Sequence, residues 1–447
     1  MLFYWCYFIG THSIQGIYCM QVYTYYDDTS PLRVPRSPLQ ARKTADVVVI
    51  GGGITGCRAA LELAKKGMRV CVLEKDRIGA GASGRSGGQV LPGFGADLDV
   101  LETLFTRSDV AKLWNLTLEG VETMKSTIRH YGINCDYRDG HYTAACTPEQ
   151  NDALKDFADR AGRYGYPYRM LNASESQQEI GTSIYWGTAY DAAAGHVHPL
   201  NYTLGLADAA EQEGAEIFEG SAVRSIELQK NKVWVHTAEG RIVADYLVLG
   251  GNAYLWPDGA GLAKYKHIAS TIMPVGTYMI ATAPLTDTQK AGILENGGAV
   301  ADTKFVLDYY RLSAEGAMLF GGGVSYSRIG PPSIARYLED RMHYVFPQLQ
   351  GVKAHYAWGG DVAITRNRLP DLGWLAPNVV YAQGFSGHGM AFTNMAGTLM
   401  AEAITGTATR FDMLERIPHK PFPGGASLRT PLLVLGTTWM RLRDALS

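Results

Sequence analysis

Four consecutive apolar residues, Val47 to Ile50, run into Gly51-Gly52-Gly53, after which apolar positions recur at Ile54, Cys57, Leu61 and Ala64 until Gly67. A short continuous apolar run predicts a strand buried on both faces, and the change to helical spacing predicts a helix that begins at the glycines. A second apolar run over residues 68–73 closes on Glu74, so that strand, turn, helix and strand follow one another directly. Helical spacing returns over residues 99–106, 109–131, 148–164, 202–214 and 390–405, the last stopped by Gly406. Apolar or alternating runs predict strands over 244–253, 274–282, 303–312 and 317–322, with a turn at 313–316.

Gly51, Gly53 and Gly56 form a GxGxxG turn between the first strand and helix. Gly51 permits the tight turn, Gly53 lets backbone approach a pyrophosphate with no Cβ between them, and Gly56 lets the helix pack close on the strand. The first helical turn, with Ile54 and Thr55, offers its amides to the phosphates. Glu74, followed by Lys75, ends the second strand where a carboxylate binds a ribose 2′-hydroxyl. The same charge would repel a 2′-phosphate, so the pattern suits FAD or NAD rather than NADP.

With 447 residues, 46% hydrophobic and 19% charged, the chain has the balance of a globular protein with two or three domains' worth of core. A formal net charge of -2 gives no footing for nucleic acid, which calls for a strongly basic surface, so small molecules are the expected partners. Cys6, Cys19, Cys57, Cys71, Cys135 and Cys146 are scattered without CxxC pairing, a reduced-compartment pattern that points to the cytoplasm and to no metal site. The apolar run 2–9 has no preceding basic residue and no cleavage motif, and it is too short to span a bilayer, which leaves Met20 as a candidate start in place of Met1. Residues 23–42 carry Pro31, Pro35 and Pro38 and read as an extended leader. Residues 431–446 are apolar with Trp439, Arg441 and Arg443, the composition of a terminal helix docked on its own protein or, alternatively, of a peripheral membrane contact.

After Glu74 a second glycine-rich run follows, Gly79-Ala80-Gly81-Ala82-Ser83-Gly84-Arg85-Ser86-Gly87-Gly88-Gln89. Small residues such as Ala82, Gly87 and Gly88 allow amides to crowd a ligand, while Ser83, Arg85 and Ser86 can donate to phosphate or to a flavin ring edge, and Gln89 closes the loop. This run and the βαβ unit together resemble the FAD-dependent amine and amino-acid oxidases of the D-amino-acid oxidase and glycine oxidase superfamily. Within that superfamily the likeness is to the γ-glutamylputrescine oxidase group. Three further segments carry the resemblance. Ala222-Val223 is expected among the strand pairs after residue 214, with Val223 against the adenine; Gly250-Gly251 follows the 244–253 strand, where the family's chain returns to the dinucleotide. The run Val379 to Met390 is again strand, glycine turn and helix, with Gly384, Gly387, His388, Gly389 and Met390 at the turn. A helix start there aims free amides at the pyrimidine edge of the flavin and stabilises the charge of its reduced form. His388 is a ring-edge donor, a substrate contact or a capping residue.

The expected fold is α/β: a discontinuous Rossmann-like FAD-binding domain from residues 44–95, 190–255 and 355–415, and an α+β substrate domain from 96–189 and 256–354 around a large mixed or antiparallel sheet. Residues 1–43 are the leader and 416–447 a C-terminal tail and helix. The first insert is expected to be mainly helical and the second mostly β, with the active site between the domains.

In the 303–312 run a period of two puts Phe305, Leu307, Tyr309 and Arg311 on one face. The resemblance favours Tyr309 near the substrate amine, with Arg311 then able to meet a carboxylate; the plain alternative is a packed tyrosine and a solvated arginine. Trp358 is a pocket wall or core. Related amino-acid oxidases carry an arginine just after the Trp-Gly segment, where this chain reads Asp361-Val362-Ala363-Ile364-Thr365, so an α-carboxylate clamp is not expected. No cysteine stands near Val362 to link a flavin, so FAD is expected to be non-covalent. The family's oxygen-assisting lysine has Phe320 near its place, and Lys304 is no obvious substitute. The expected reaction is oxidation of an amine, γ-glutamylputrescine or a related polyamine, by hydride transfer to FAD, giving an imine that hydrolyses to an aldehyde while O2 becomes H2O2. The alternatives are an amine or secondary amino-acid dehydrogenase, for pipecolate or a sarcosine-like substrate, that passes electrons to a quinone or carrier, and a flavin-binding protein without turnover.

Overall fold

The computed structural model describes residues 23–255, 265–325 and 331–425. The candidate starts Met1 and Met20 and the 431–446 segment lie outside the described residues.

Two sheets organise the chain. In the first, Arg42–Ile50 lies between Val70–Leu73 and Arg241–Leu249, parallel to both. Glu216–Phe218 extends one side, Val379–Gln383 the other, and Asp371–Ala376 closes that edge antiparallel. Val47 and Val49 pack under the helices Ile54–Lys65, Pro199–Gln212 and Gly389–Ile404, whereas Val48 faces the hairpin of Ser225–Gln229 and Lys232–His236. Burial on both faces is why this strand reads as an unbroken apolar run.

The second sheet runs Ala354–Thr365, Ile272–Pro284, Ala317–Ser325, Tyr309–Leu312, Ala299–Asp302, Arg138–Ala145, Gly187–His196 and Gln89–Val90, with Arg169–Asn172 on the far side of Gly187–His196. It is mixed: Ala299–Asp302 and Arg138–Ala145 are parallel and the other pairs antiparallel. The helix Ile334–Val345 packs one face through Leu338, Met342 and Val345 against Ile280, Tyr310 and Phe320. Gly187–His196 and Ala354–Thr365, which overlap the edges of the expected cofactor pieces, pair into this second sheet. The crossovers between the sheets therefore fall inside those pieces.

The first insert supplies the helices Leu98–Leu104, Arg107–Tyr131 and Pro148–Arg163, shifted by a residue or two from the sequence spacing because caps set their starts. Thr106 accepts from the Asp109 amide, and Thr147 from that of Gln150. Two strand expectations need correction. Only Tyr309–Leu312 of the 303–312 run is extended, because Asp308 turns inward to Arg341 (2.6 Å) and Lys304 (2.9 Å) and holds 303–308 as a loop, with Phe305 79% exposed. Ala222-Val223 is outside any strand, because Gly220 and Ser221 donate to the carbonyls of Asp76 and Glu74 and so wrap the chain round the end of Val70–Leu73.

Residues 23–41 are irregular apart from the helix Tyr25–Thr29, and they are docked. Tyr26 is fully buried, edge-on to Trp358 and His198, and Arg36 binds Asp208 and Glu211, each at 2.7 Å. Among the described residues no helix is long and apolar enough to cross a membrane, and no group of acidic, histidine and cysteine side chains is placed to hold a metal ion.

Candidate cofactor and active site

The glycine turn is built with no room to spare. A Cβ on Gly51, whose φ is +109°, would stand 3.0 Å from Gly250 and Gly251 backbone atoms, and one on Gly56 would overlap the Gly51 carbonyl oxygen. Gly53 is the N-cap of Ile54–Lys65 and supplies no side-chain cap; Ser83 Oγ reaches across from the second loop to accept from the Ile54 amide at 3.1 Å. Thr55 is buried behind it. Glu74 accepts from the amides of Gly52 (2.7 Å) and Asp76 (2.9 Å), and each carboxylate oxygen keeps a further acceptor position for a hydroxyl. Burial raises its pKa, the cost of holding this group inside. Lys75 turns away, pairing with Asp76 at 2.9 Å and lying over the Tyr254 ring. Val223 lies just beyond Ser221, whose amide donates to the Glu74 carbonyl at 2.7 Å.

The second glycine run forms the short helix Ala82–Arg85 and then crosses to the second sheet. Arg85 Nε donates to the Gly359 carbonyl (2.8 Å), and its own carbonyl accepts from the Trp358 indole (2.9 Å). Trp358 is 1% exposed, so of its two readings the structure gives the core one. Ser86 Oγ donates to Met390 Sδ at 3.4 Å, joining this loop to the downstream turn. A Cβ on Gly87 would press on the Tyr309 ring, and one on Gly88 (φ +72°) on the Val197 carbonyl. Gln89 Nε2 donates to the Val300 carbonyl at 2.8 Å.

Arg311 departs from its expected use. The residue is 4% exposed; Nε donates to the Gly87 carbonyl (2.9 Å) and Nη2 to that of Val197 (2.8 Å), with the Tyr26 hydroxyl at 3.4 Å. These donors fasten the glycine loop instead of facing a substrate carboxylate. Its strand neighbour Tyr309 is half-buried between Gly87 and Gly321, and its hydroxyl is 3.5 Å from the Tyr278 carbonyl. Burial holds that phenol protonated. Phe320 points to the opposite face, stacked on Tyr310, and Lys304 is bound by Asp302 and Asp308.

The downstream turn has Gly384 at φ +73° and Gly387 at +91°, and the Gly384 amide donates to Asn252 Oδ1 at 2.9 Å. Asn252 thus ties this turn to Gly250-Gly251, a role its sequence position did not signal. His388 occupies the N-cap of Gly389–Ile404 but makes no side-chain capping bond, which removes the capping reading. Burial and then Arg368 depress its pKa to about 4, so the imidazole is neutral near pH 7. Sequence reasoning also missed Arg58 and Asn394. Arg58 is buried, and its guanidinium donates to Asn394 Oδ1 (3.1 Å) and Thr127 Oγ1 (2.7 Å); Asn394 in turn accepts from Tyr202. This network locks together the two helices whose open N-termini come from the glycine turns.

An absent dinucleotide has to fit these residues, and it does. Gly53 and His388 give their helix starts no side-chain cap of their own, unlike Thr106, Thr147 and Ser333 elsewhere, so first-turn amides other than that of Ile54, which Ser83 holds, remain for an anion. Glu74 ends the second strand beside the first turn, its carboxylate 2.7 Å from the Gly52 amide, where the pattern calls for a ribose-binding acid. A parallel nucleotide-binding sheet joined by a glycine loop to a large mixed sheet is the architecture of a two-domain flavoprotein. The chain belongs to the DAO family of FAD dependent oxidoreductases, whose model matches residues 46–403, and it is an FAD-dependent enzyme. It is 39% identical to the γ-glutamylputrescine oxidoreductase of Escherichia coli (strain K12) over 95% of this chain and 98% of that protein. It is 36% identical to a probable oxidoreductase, OrdL, of Haemophilus influenzae over 96% and 98%. Among solved structures, glycine oxidase from Geobacillus kaustophilus superposes with a TM-score of 0.68 at 21% identity, over 81% of this chain and 95% of that one, a likeness of fold.

Proposed function

We propose that the protein oxidises an amine at the carbon beside nitrogen, with γ-glutamylputrescine or a closely related γ-glutamylated polyamine as substrate. The observation that carries this reading is the 39% identity to a γ-glutamylputrescine oxidoreductase along nearly the whole of both chains. The site supports it on chemical grounds. Arg311 is committed to backbone carbonyls, and the stretch after Trp358-Gly359 offers Asp361, Val362 and Ala363 where a carboxylate-binding arginine would be needed for an α-amino acid. A substrate whose carboxylate is remote from the reacting carbon fits such a site better.

FAD, which the two glycine turns would hold without a covalent bond, would supply the two-electron acceptor. The chain's own part is to bind the amine in its neutral form, hold the C–H bond in line and keep water from the reacting atoms. His141 and His388, which interact with each other, are both held neutral by burial, so neither presents an imidazolium to an amine passing into a cationic imine. The amine loses a hydride from carbon and a proton from nitrogen; water then adds to the imine to release aldehyde and ammonia, and O2 takes the electrons to give H2O2. A cytoplasmic location goes with this reading, since Cys57, Cys71, Cys135 and Cys146 are free thiols.

The test is anaerobic titration of the holoenzyme with γ-glutamylputrescine, putrescine, pipecolate and sarcosine, followed by loss of oxidised-flavin absorbance. γ-Glutamylputrescine is expected to bleach the flavin at the lowest concentration, and readmitted air to return one H2O2 per turnover. Bleaching by pipecolate or sarcosine alone would reassign the substrate, and a peroxide yield near zero would make the enzyme a dehydrogenase.

A further inference from the structure

We propose that His141 is the hydrogen-bond acceptor that holds an N–H of the substrate's reacting nitrogen, oriented for that task by Gln89. The inference rests on the amine reading above and deepens it, because it assigns the side chain that would read the nitrogen.

The Val300 carbonyl only accepts, so the Gln89 atom 2.8 Å from it is the amide nitrogen. That orientation turns Gln89 Oε1 toward His141, 3.3 Å from Nε2. An amide oxygen only accepts, so Nε2 carries the hydrogen and Nδ1 carries the lone pair. The ring is 1% exposed, and burial together with the neighbouring His388 depresses its pKa to about 3, so it holds one proton at any working pH. Nδ1 makes none of the hydrogen bonds of the described residues and is not fully enclosed, so its lone pair is open to a donor brought by a ligand.

The position agrees. Residues in direct register across a sheet share a face, and Ala301 is in register with both Thr143 and Tyr309. His141 is two residues before Thr143, hence on the face of Tyr309, where Gly87 and Gln89 lie over the sheet. His388, at the downstream helix start, is near enough to act electrostatically on the same ring. The second glycine loop, the sheet face and the ring-edge turn thus converge on one imidazole.

A neutral imidazole suits the chemistry. It takes one N–H of a neutral amine and leaves the nitrogen lone pair free to push the hydride from carbon. As the hydride leaves, positive charge grows on nitrogen and the N–H becomes a stronger donor, so the contact tightens toward the transition state. No proton passes to His141, whose burial disfavours the imidazolium.

The experiment uses the FAD-loaded enzyme and two probes that cannot be oxidised at the usual carbon. tert-Butylamine has N–H groups but no hydrogen on the carbon beside nitrogen; N,N-dimethyl-tert-butylamine in its neutral form has no N–H, and its N-methyl hydrogens are controlled for by working anaerobically and requiring that the flavin is not bleached. Wild type is expected to bind the first at least about 10-fold more tightly, read by perturbation of the flavin spectrum. His141→Phe is expected to abolish that preference and to slow flavin reduction by γ-glutamylputrescine by about 10- to 100-fold, with FAD retention and melting temperature unchanged. His141→Asn, whose Oδ1 takes the place of Nδ1, is expected to restore most of both. Equal binding of the two probes by wild type overturns the proposal without any variant, as does an FAD-replete His141→Phe that binds and reduces like wild type. If no amine bleaches the wild-type flavin, the amine reading falls first and this inference with it. Bleaching of wild type with an indifferent His141→Phe leaves the amine reading standing and removes only His141.

Discussion

Replacing Arg311 by methionine separates two accounts of the same side chain. In the structure its guanidinium donates to the carbonyls of Gly87 (2.9 Å) and Val197 (2.8 Å) inside the protein. Methionine fills similar space but donates nothing, and each buried carbonyl left without a donor costs about 1–3 kcal/mol. Release from burying a cation offsets part of this, so a net loss of about 2–4 kcal/mol is expected. Because Gly87 belongs to the second glycine loop, much of that loss falls on FAD binding, at about tenfold in dissociation constant per 1.4 kcal/mol. The assay is the fluorescence of FAD released on dilution, with the melting temperature of the apo and FAD-loaded protein. Arg311→Met is expected to release FAD at least about 10-fold more readily, and Arg311→Lys to lie between, since an ammonium can reach one carbonyl but lacks the fork for both. The KM values for amines with and without a carboxylate should then change alike. Retained FAD and an unshifted melting point, with a KM increase confined to carboxylate-bearing substrates, would refute this reasoning and restore the arginine to a substrate contact.

The remaining predictions address the cradle, the buried histidines and the flavin linkage. Gly56→Ala places a Cβ on the Gly51 carbonyl oxygen, so the variant is expected to purify with little or no FAD; a purified Gly56→Ala with the wild-type flavin-to-protein ratio would contradict the packing argument. His141 and His196 sit at about 3 and His198 and His388 at about 4, all below the usual 6.5 because burial disfavours the charged ring. The unfolded chain therefore binds more protons between about pH 4 and 6.5, and stability falls as pH drops through that window, by up to about 1.4 kcal/mol per pH unit for each histidine. Melting temperature should be nearly level above pH 7 and decline steeply below 6.5, and a level profile down to pH 5 would count against their burial as neutral rings. Acid precipitation is expected to leave a colourless pellet and a yellow supernatant, because no cysteine stands near Val362; a yellow pellet would show a covalent flavin.

The nucleotide half of the site was legible from local pattern. A strand buried on both faces needs an unbroken apolar run, a turn of positive φ needs glycine, and a helix packed on that turn needs a second one, so Val47 to Gly56 could read only one way. The ring-edge turn at Gly384 and Gly387 was legible for the same reason. The use of Arg311 was not, since a period of two says which face a residue takes but not what covers that face. Here the covering loop is Gly87 to Gln89, more than two hundred positions away in sequence, and its carbonyls claim the guanidinium. Nor did the run 303–312 reveal that Asp308 would turn toward Arg341 and end the strand, because that ion pair exists only once the helix Ile334–Val345 is in place.

Sequence by itself thus determined the glycine turns that suit a dinucleotide, because the backbone conformations that admit one demand particular residues at adjacent positions. Tertiary structure alone decided which buried side chains fasten the loops and which keep a free acceptor, because burial and hydrogen-bond saturation depend on what folding brings opposite each residue. His141 and Gln89, far apart in the chain and joined at 3.3 Å, belong wholly to that second kind.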